Sequence, residues 1–215
     1  MNLETLPIRM PAILIALTIH EYAHGYIAWR RGDDTAMQAG RLTFNPLSHL
    51  DVFGTIMLLF GPFGWAKPVP VNAHNLKDPH RDMVWVSLAG PFSNIALALV
   101  IGYAYRLLRA LGIEGSFSYG LDLFVQFLLM INLGIAFFNL IPVPPLDGSK
   151  VVVGLLSPER AMAYARAIRH APKIFLGLLV AEWGLDIPVF STLINPLWRP
   201  WMAFWQFVIF GGGWI

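Results

Sequence analysis

Within the apolar run from Met10 to Trp29, the polar triplet His20, Glu21 and His24 stands in the order His-Glu-x-x-His. On a helix, side chains four apart share a face, so His20 and His24 point the same way, one above the other. That spacing suits two legs of a tetrahedral zinc site. Glu21, one residue on, projects beside the metal, where it can accept a proton from water. An ionisable group in a membrane-spanning helix costs about 2.5–3.5 kcal/mol, so three such groups together need a reason. A metal ion supplies one.

A catalytic zinc takes three protein ligands and keeps one position open. His49, His74, His80 and His170 sit in polar loops and read as solvated surface histidines. Glu182 lies in an apolar segment without a nearby helix break and reads as an interhelical polar contact. Asp147 differs, because it follows Pro142, Pro144 and Pro145 and precedes Gly148. Irregular backbone at membrane depth is tolerated only where it lines a cavity or is covered by protein. Asp147 is therefore the expected third ligand, with a helix N-cap as the other reading. Amide hydrolysis also needs a donor for the developing oxyanion. Asn139 is the first choice and Asn94 the second, although Asn94 reads equally well as a structural interhelical hydrogen bond.

The elements that must carry these groups are apolar. Of 215 residues, 56% are hydrophobic and 13% charged, with a mean hydropathy of +0.58. A soluble domain carries about 25% charged residues, so the composition predicts an all-α polytopic membrane protein of about five to six membrane segments. A net charge of +2 without an interleaved basic and aromatic tract excludes nucleic-acid binding. With no cysteine, thiol catalysis and disulfides are also excluded. No basic region or small-residue cleavage site marks a removable leader near Met1 to Arg9.

Pro7 to Arg30, Met83 to Tyr105 and Leu123 to Leu146 are long enough to span a bilayer. Leu42 and Phe44 alternate with polar neighbours and predict a short strand. Val52 to Ala66 is uncharged, but short and broken by glycine and proline, which fits a re-entrant or interfacial segment. Trp65, Lys67, Val69 and Val71 then alternate with Ala66, Pro68, Pro70 and Asn72, which reads as an extended edge strand or, equally, a proline-rich loop. Such an edge could receive an unwound substrate segment, with these four residues as the substrate-binding surface. No repeat or linker divides residues 1–215, so a single domain is expected, with residues 7–156 as its catalytic core. Helices in 157–215 have no assigned role. The clustering of Arg30, Arg31, Arg41, Lys67, Lys77 and Arg81 with the basic residues of 160–173 predicts that this side, and the zinc site near it, is cytoplasmic.

His20-Glu21-x-x-His24, Gly90-Pro91-x-x-Asn94 and Asn139-x-x-Pro142-x-Pro144-Pro145-Leu146-Asp147-Gly148 together resemble the site-2 protease family of intramembrane zinc metalloproteases. The resemblance covers about Pro7 to Leu156. It implies one zinc held by His20, His24 and Asp147, Glu21 as base, and Asn139 assisting at the substrate carbonyl. It implies substrates that are single-pass membrane proteins or remnant signal peptides, cut within or near their membrane segments. It also implies a re-entrant β-hairpin beside the active site, matching Gly61 to Asn72. The resemblance is to the compact type, without an inserted PDZ or appended CBS domain.

Two other functions use the same residues. A zinc or proton transporter could run a relay through His20, Glu21, His24 and Asp147, but such proteins tend to show repeated halves, and none is present. An inactive membrane scaffold would have no need of Glu21.

Overall fold

The computed structural model describes residues 3–60, 64–112 and 119–212. The apolar segments become helices. Helix α1 runs from Leu6 to Arg30, and two short helices follow, α2 at Thr35–Gln38 and α3 at Val52–Phe60. Helix α4 spans Pro79–Ala110 and α5 spans Tyr119–Leu140. Helices α6 (Asp147–Leu155), α7 (Pro158–Ala167), α8 (Ala171–Gly184) and α9 (Val189–Phe210) complete the described chain. Helix α4 packs against α1, α5, α6 and α9, and α1 also reaches α5.

Helices α4 and α5 are each long and apolar enough to cross a membrane. Asp78 starts α4, its side chain accepting the Arg81 N–H at 3.1 Å, and Pro91 is carried inside the helix without ending it. Only about a third of the most apolar window of α4 is buried, leaving Phe92, Val100 and Leu107 exposed. Between α4 and α5 lies a core of Ala98, Tyr105, Val125, Leu129 and Leu133, closed by Ile209 of α9. Rings of α9 extend it, with Trp198 and Trp201 against Phe137, and Trp201 Nε1 donates to Leu133 O at 3.1 Å. Glu182 makes an interhelical contact of a particular kind. It caps the start of α9, accepting from the backbone N–H of Phe190 and Ser191.

Nine residues of α3 rise about 14 Å, under half the hydrocarbon thickness, so this element is too short to cross. Among the described residues no strand forms. Leu42 to Phe44 is a bend, because Phe44 stacks on Tyr22 and His49 Nε2 donates to Thr43 O. His49 is thereby buried and not a solvated loop residue as its neighbours imply. Gly61, Pro62 and Phe63, the expected hairpin turn, lie outside the described residues. Gly64 to Asn72 is extended, with a single antiparallel bridge between Leu50 and Ala66.

Side chains rather than a strand ladder hold that segment, Arg41 and Asp33 among them. Arg41 donates to Lys67 O at 2.6 Å, and Asp33 accepts the Asn72 N–H at 2.7 Å. Helix α3 presses on its start: a Cβ at Gly54 would stand 2.0 Å from Trp65 O, so only glycine permits the approach. Asp33 is fully buried and also accepts from Thr35 N, Thr35 Oγ1 and Asn75 Nδ2. Burial alone would raise its pKa, but the hydrogen bonds from Thr35, Asn72 and Asn75 outweigh it. They hold the Asp33 carboxyl below the usual carboxylate range.

Candidate metal centre

Helix α1 presents His20 and His24 on the face turned to α4, both buried. The face they meet is made by Gly90. A Cβ there would lie 2.5 Å from His24 Nε2 and 2.6 Å from His20 Cε1, so the imidazoles occupy the space a side chain would take. The proline-rich turn after α5 delivers Asp147 as the first residue of α6, also buried. His24 Nε2 and His20 Nε2 stand 3.1 Å apart, and Asp147 Oδ2 is 3.0 Å from the first and 3.3 Å from the second.

That triangle can be tested against a metal. Ligand atoms about 2.0–2.1 Å from a tetrahedral zinc are separated by about 3.3 Å, close to the three distances found. Protonation states agree. His24 Nδ1 donates to Val86 O at 2.6 Å, and His20 Nδ1 donates to Asn94 Oδ1 at 2.7 Å. With each proton on Nδ1, both neutral imidazoles turn an Nε2 lone pair toward the same carboxylate oxygen. Three lone pairs facing one another at this range repel unless a cation sits between them. The residues present fit zinc, and this is the one group among the described residues able to hold a metal through three such ligands.

The remaining groups are arranged around the triangle. Asp147 Oδ1, the oxygen turned from the imidazoles, accepts from Lys150 Nζ at 3.0 Å. Glu21 is half-buried, and its Oε2 accepts the backbone N–H of Val69 at 2.8 Å. Asn94 is fully buried and gives its amide hydrogens to Ala16 O and Asn132 Oδ1. Asn139 is half-buried in the last turn of α5, where its amide donates to Ile135 O at 3.0 Å. No hydrogen bond joins Asn139 to the triangle among the described residues. Trp65 and Lys67 are exposed, whereas Val69 is buried with its side chain toward Gly25 of α1, and Val71 is half-buried. Asn132, fully buried, was not singled out from the sequence. Its signal is an amide inside an uncharged span, seven residues before Asn139 and hence on a nearby part of the same helix face.

Two imidazoles and a carboxylate converging inside a helical bundle, with a glutamate beside them, define the metal centre of a metallohydrolase. Comparison with known proteins carries this further. The family model for "Peptidase family M50" matches residues 107–181. "Putative zinc metalloprotease YwhC" of Bacillus subtilis is 42% identical over 184 residues, covering 85% of this chain and 84% of that protein. "Putative zinc metalloprotease Rip2" of Mycobacterium tuberculosis is 35% identical over 172 residues, covering 78% of this chain and 64% of its own length. "Putative zinc metalloprotease MJ0611" of Methanocaldococcus jannaschii is 40% identical over a shorter stretch of 67 residues. No solved structure matches the chain. The chain belongs to peptidase family M50, the site-2 proteases, and is a zinc-dependent metalloendopeptidase.

Proposed function

We propose that this protein hydrolyses peptide bonds within or near the transmembrane segments of single-pass membrane proteins or remnant signal peptides. The observation that carries the reading is where the ligand triangle sits. His20 and His24 lie about 15 and 9 Å along the helix axis from Arg30, below the charged end of α1. The helix they pack on carries a lipid-compatible face along its length, with Phe92, Val100 and Leu107 exposed on α4. About five to six membrane segments in the cell membrane, with the basic end of α1 and the zinc site near the cytoplasmic face, fit the charge distribution. Residues 1–215 then act as one domain.

In this reading His20, His24 and Asp147 hold the metal. Zinc bound there supplies Lewis acidity, polarising a carbonyl and bringing water near neutral pKa. Glu21 is the general base. Its Oε2 is fixed by Val69 N–H, so Oε1 is the oxygen that takes the proton and later returns it to the leaving amine. Asn139 keeps a second amide hydrogen beyond the one given to Ile135 O, and with it assists at the scissile carbonyl. Asn94, with both hydrogens already donated, serves by orienting His20.

Substrate enters beside the Gly64–Asn72 segment, with the exposed Trp65 and Lys67 meeting it and Val69 and Val71 fixing the backbone. The segment's inward N–H groups at Lys67 and Val69 are taken by His49 O and Glu21. Pairing therefore uses the opposite edge, where Pro68 and Pro70 offer carbonyls and no N–H. A hairpin over Gly61 to Asn72 would extend that edge.

The test is cleavage of a model transmembrane peptide by the purified protein in lipid nanodiscs, with zinc measured alongside. The native protein should carry about one zinc per chain and cut inside the apolar span, located by mass spectrometry. Glu21→Gln should keep the zinc and lose about 10²–10⁴-fold in rate, the usual contribution of a general base. Zinc without cleavage by the native protein would exclude intramembrane proteolysis and favour transport or a scaffold.

A further inference from the structure

We propose that Asn132 is a positioning residue for the metal centre, acting on His20 through Asn94. The inference rests on His20 being a zinc ligand, and it concerns a side chain that touches neither the triangle nor any substrate. Three buried polar side chains from three helices form one directed chain. Asn132 Nδ2 donates to Leu128 O at 2.7 Å, one turn back on α5, which leaves its Oδ1 turned to α4. Asn94 Nδ2 donates to that Oδ1 at 2.8 Å and to Ala16 O at 3.0 Å. Asn94 Oδ1 is thereby turned to His20 and accepts from Nδ1 at 2.7 Å.

Each link removes a choice from the next. A neutral imidazole carries one ring proton, and only the tautomer with that proton on Nδ1 leaves Nε2 free to bind a metal. An asparagine amide can face a histidine with either its oxygen or its nitrogen. Were Asn94 flipped, its NH₂ would face Nδ1, which would have to accept, and the ring proton would move to Nε2. The flip is opposed because it would set Asn94 Oδ1 against two acceptor oxygens, Asn132 Oδ1 and Ala16 O. Asn132 in turn cannot flip without losing Leu128 O and presenting N–H to N–H. Asn94 and Asn132 are fully buried, so water does not compensate an error in the chain. The orientation of an amide on α5 thus fixes the tautomer of a ligand on α1.

The experiment compares native protein with Asn132→Leu and Asn132→Asp in nanodiscs, measuring zinc affinity by competition with a chelator. In parallel, the His20 tautomer of the metal-free protein is read from its side-chain ¹⁵N shifts. Native protein should show Nδ1–H. Asn132→Leu should give mixed tautomers and bind zinc about 10-fold more weakly, at the low end for outer-sphere partners because Ala16 O remains. Asn132→Asp, which restores an acceptor oxygen to Asn94, should recover Nδ1–H and most of the affinity. Where Asn132→Leu does not fold, the Asn132→Asp tautomer decides. Unchanged affinity and tautomer in Asn132→Leu, or loss in Asn132→Asp equal to that in Asn132→Leu, overturns the proposal. Failure of the native protein itself to bind zinc overturns the metal assignment on which it rests.

Discussion

Val69 gives its backbone N–H to Glu21, tying the candidate base on α1 to an extended segment 48 residues further along the chain. The contact fixes one carboxylate oxygen and leaves the other to work. Val69→Pro removes the donor. Cleavage should fall about 10-fold or more, within the range of general-base effects, with zinc content unchanged. Unchanged turnover would mean that Glu21 needs no such anchor.

Gly90 leaves room for both imidazoles. Gly90→Ala favours the helix by about 1 kcal/mol on propensity, yet its Cβ would collide with His24 Nε2 and the His20 ring. The expected variant is helical and membrane-inserted but zinc-poor. Circular dichroism together with zinc analysis checks both halves of that outcome.

Removing the metal should destabilise the bundle. Three lone pairs at 3.0–3.3 Å are then left without a cation, and the linkage term of about 2.7 kcal/mol at a zinc concentration 100 times Kd is lost. A thermal melt should shift down on chelation in the native protein. In His20→Ala the melt should respond little to chelator; an equal response there would place the stabilising ion elsewhere.

Asp33 sets an acid limit on the extended segment. Its pKa is depressed in the folded protein, so its contribution is complete above the unfolded value of about 3.9. It is lost as pH falls through the lower folded value. The Thr35 and Asn72 backbone amides, which donate to Asp33, should therefore keep their hydrogen-exchange protection from pH 7 down through the ordinary carboxylate range and lose it only below that range. In Asp33→Asn the protection should be weaker at neutral pH and nearly independent of acid. A native profile that already falls within the ordinary carboxylate range, or that Asp33→Asn reproduces, would remove Asp33 from this role.

The parts of the site that could be read in advance are those with a local cause. Helical spacing aligns His20 with His24, and three prolines in six residues stop α5 where Asp147 is needed. The uncharged runs became α4 and α5 because length and apolarity suffice to specify such helices. What escaped depends on partners remote in the chain. Leu42 to Phe44 alternates like a strand, but Tyr22 stacks on Phe44 and His49 is drawn inside to meet Thr43. Trp65 to Asn72 alternates like a strand yet forms none, because Pro68 and Pro70 cannot donate and side chains of Glu21, Arg41 and Asp33 do the holding. Asn132 is silent for the same reason, since its meaning lies in Asn94, 38 residues away.

Asp147 stands 123 positions after His24, at the head of a helix that must pack on α4 before the triangle exists. A nascent chain that has released only α1 owns two ligands, one short of a catalytic set. The metal centre is thus completed last, by the part of the chain made after α4 and α5.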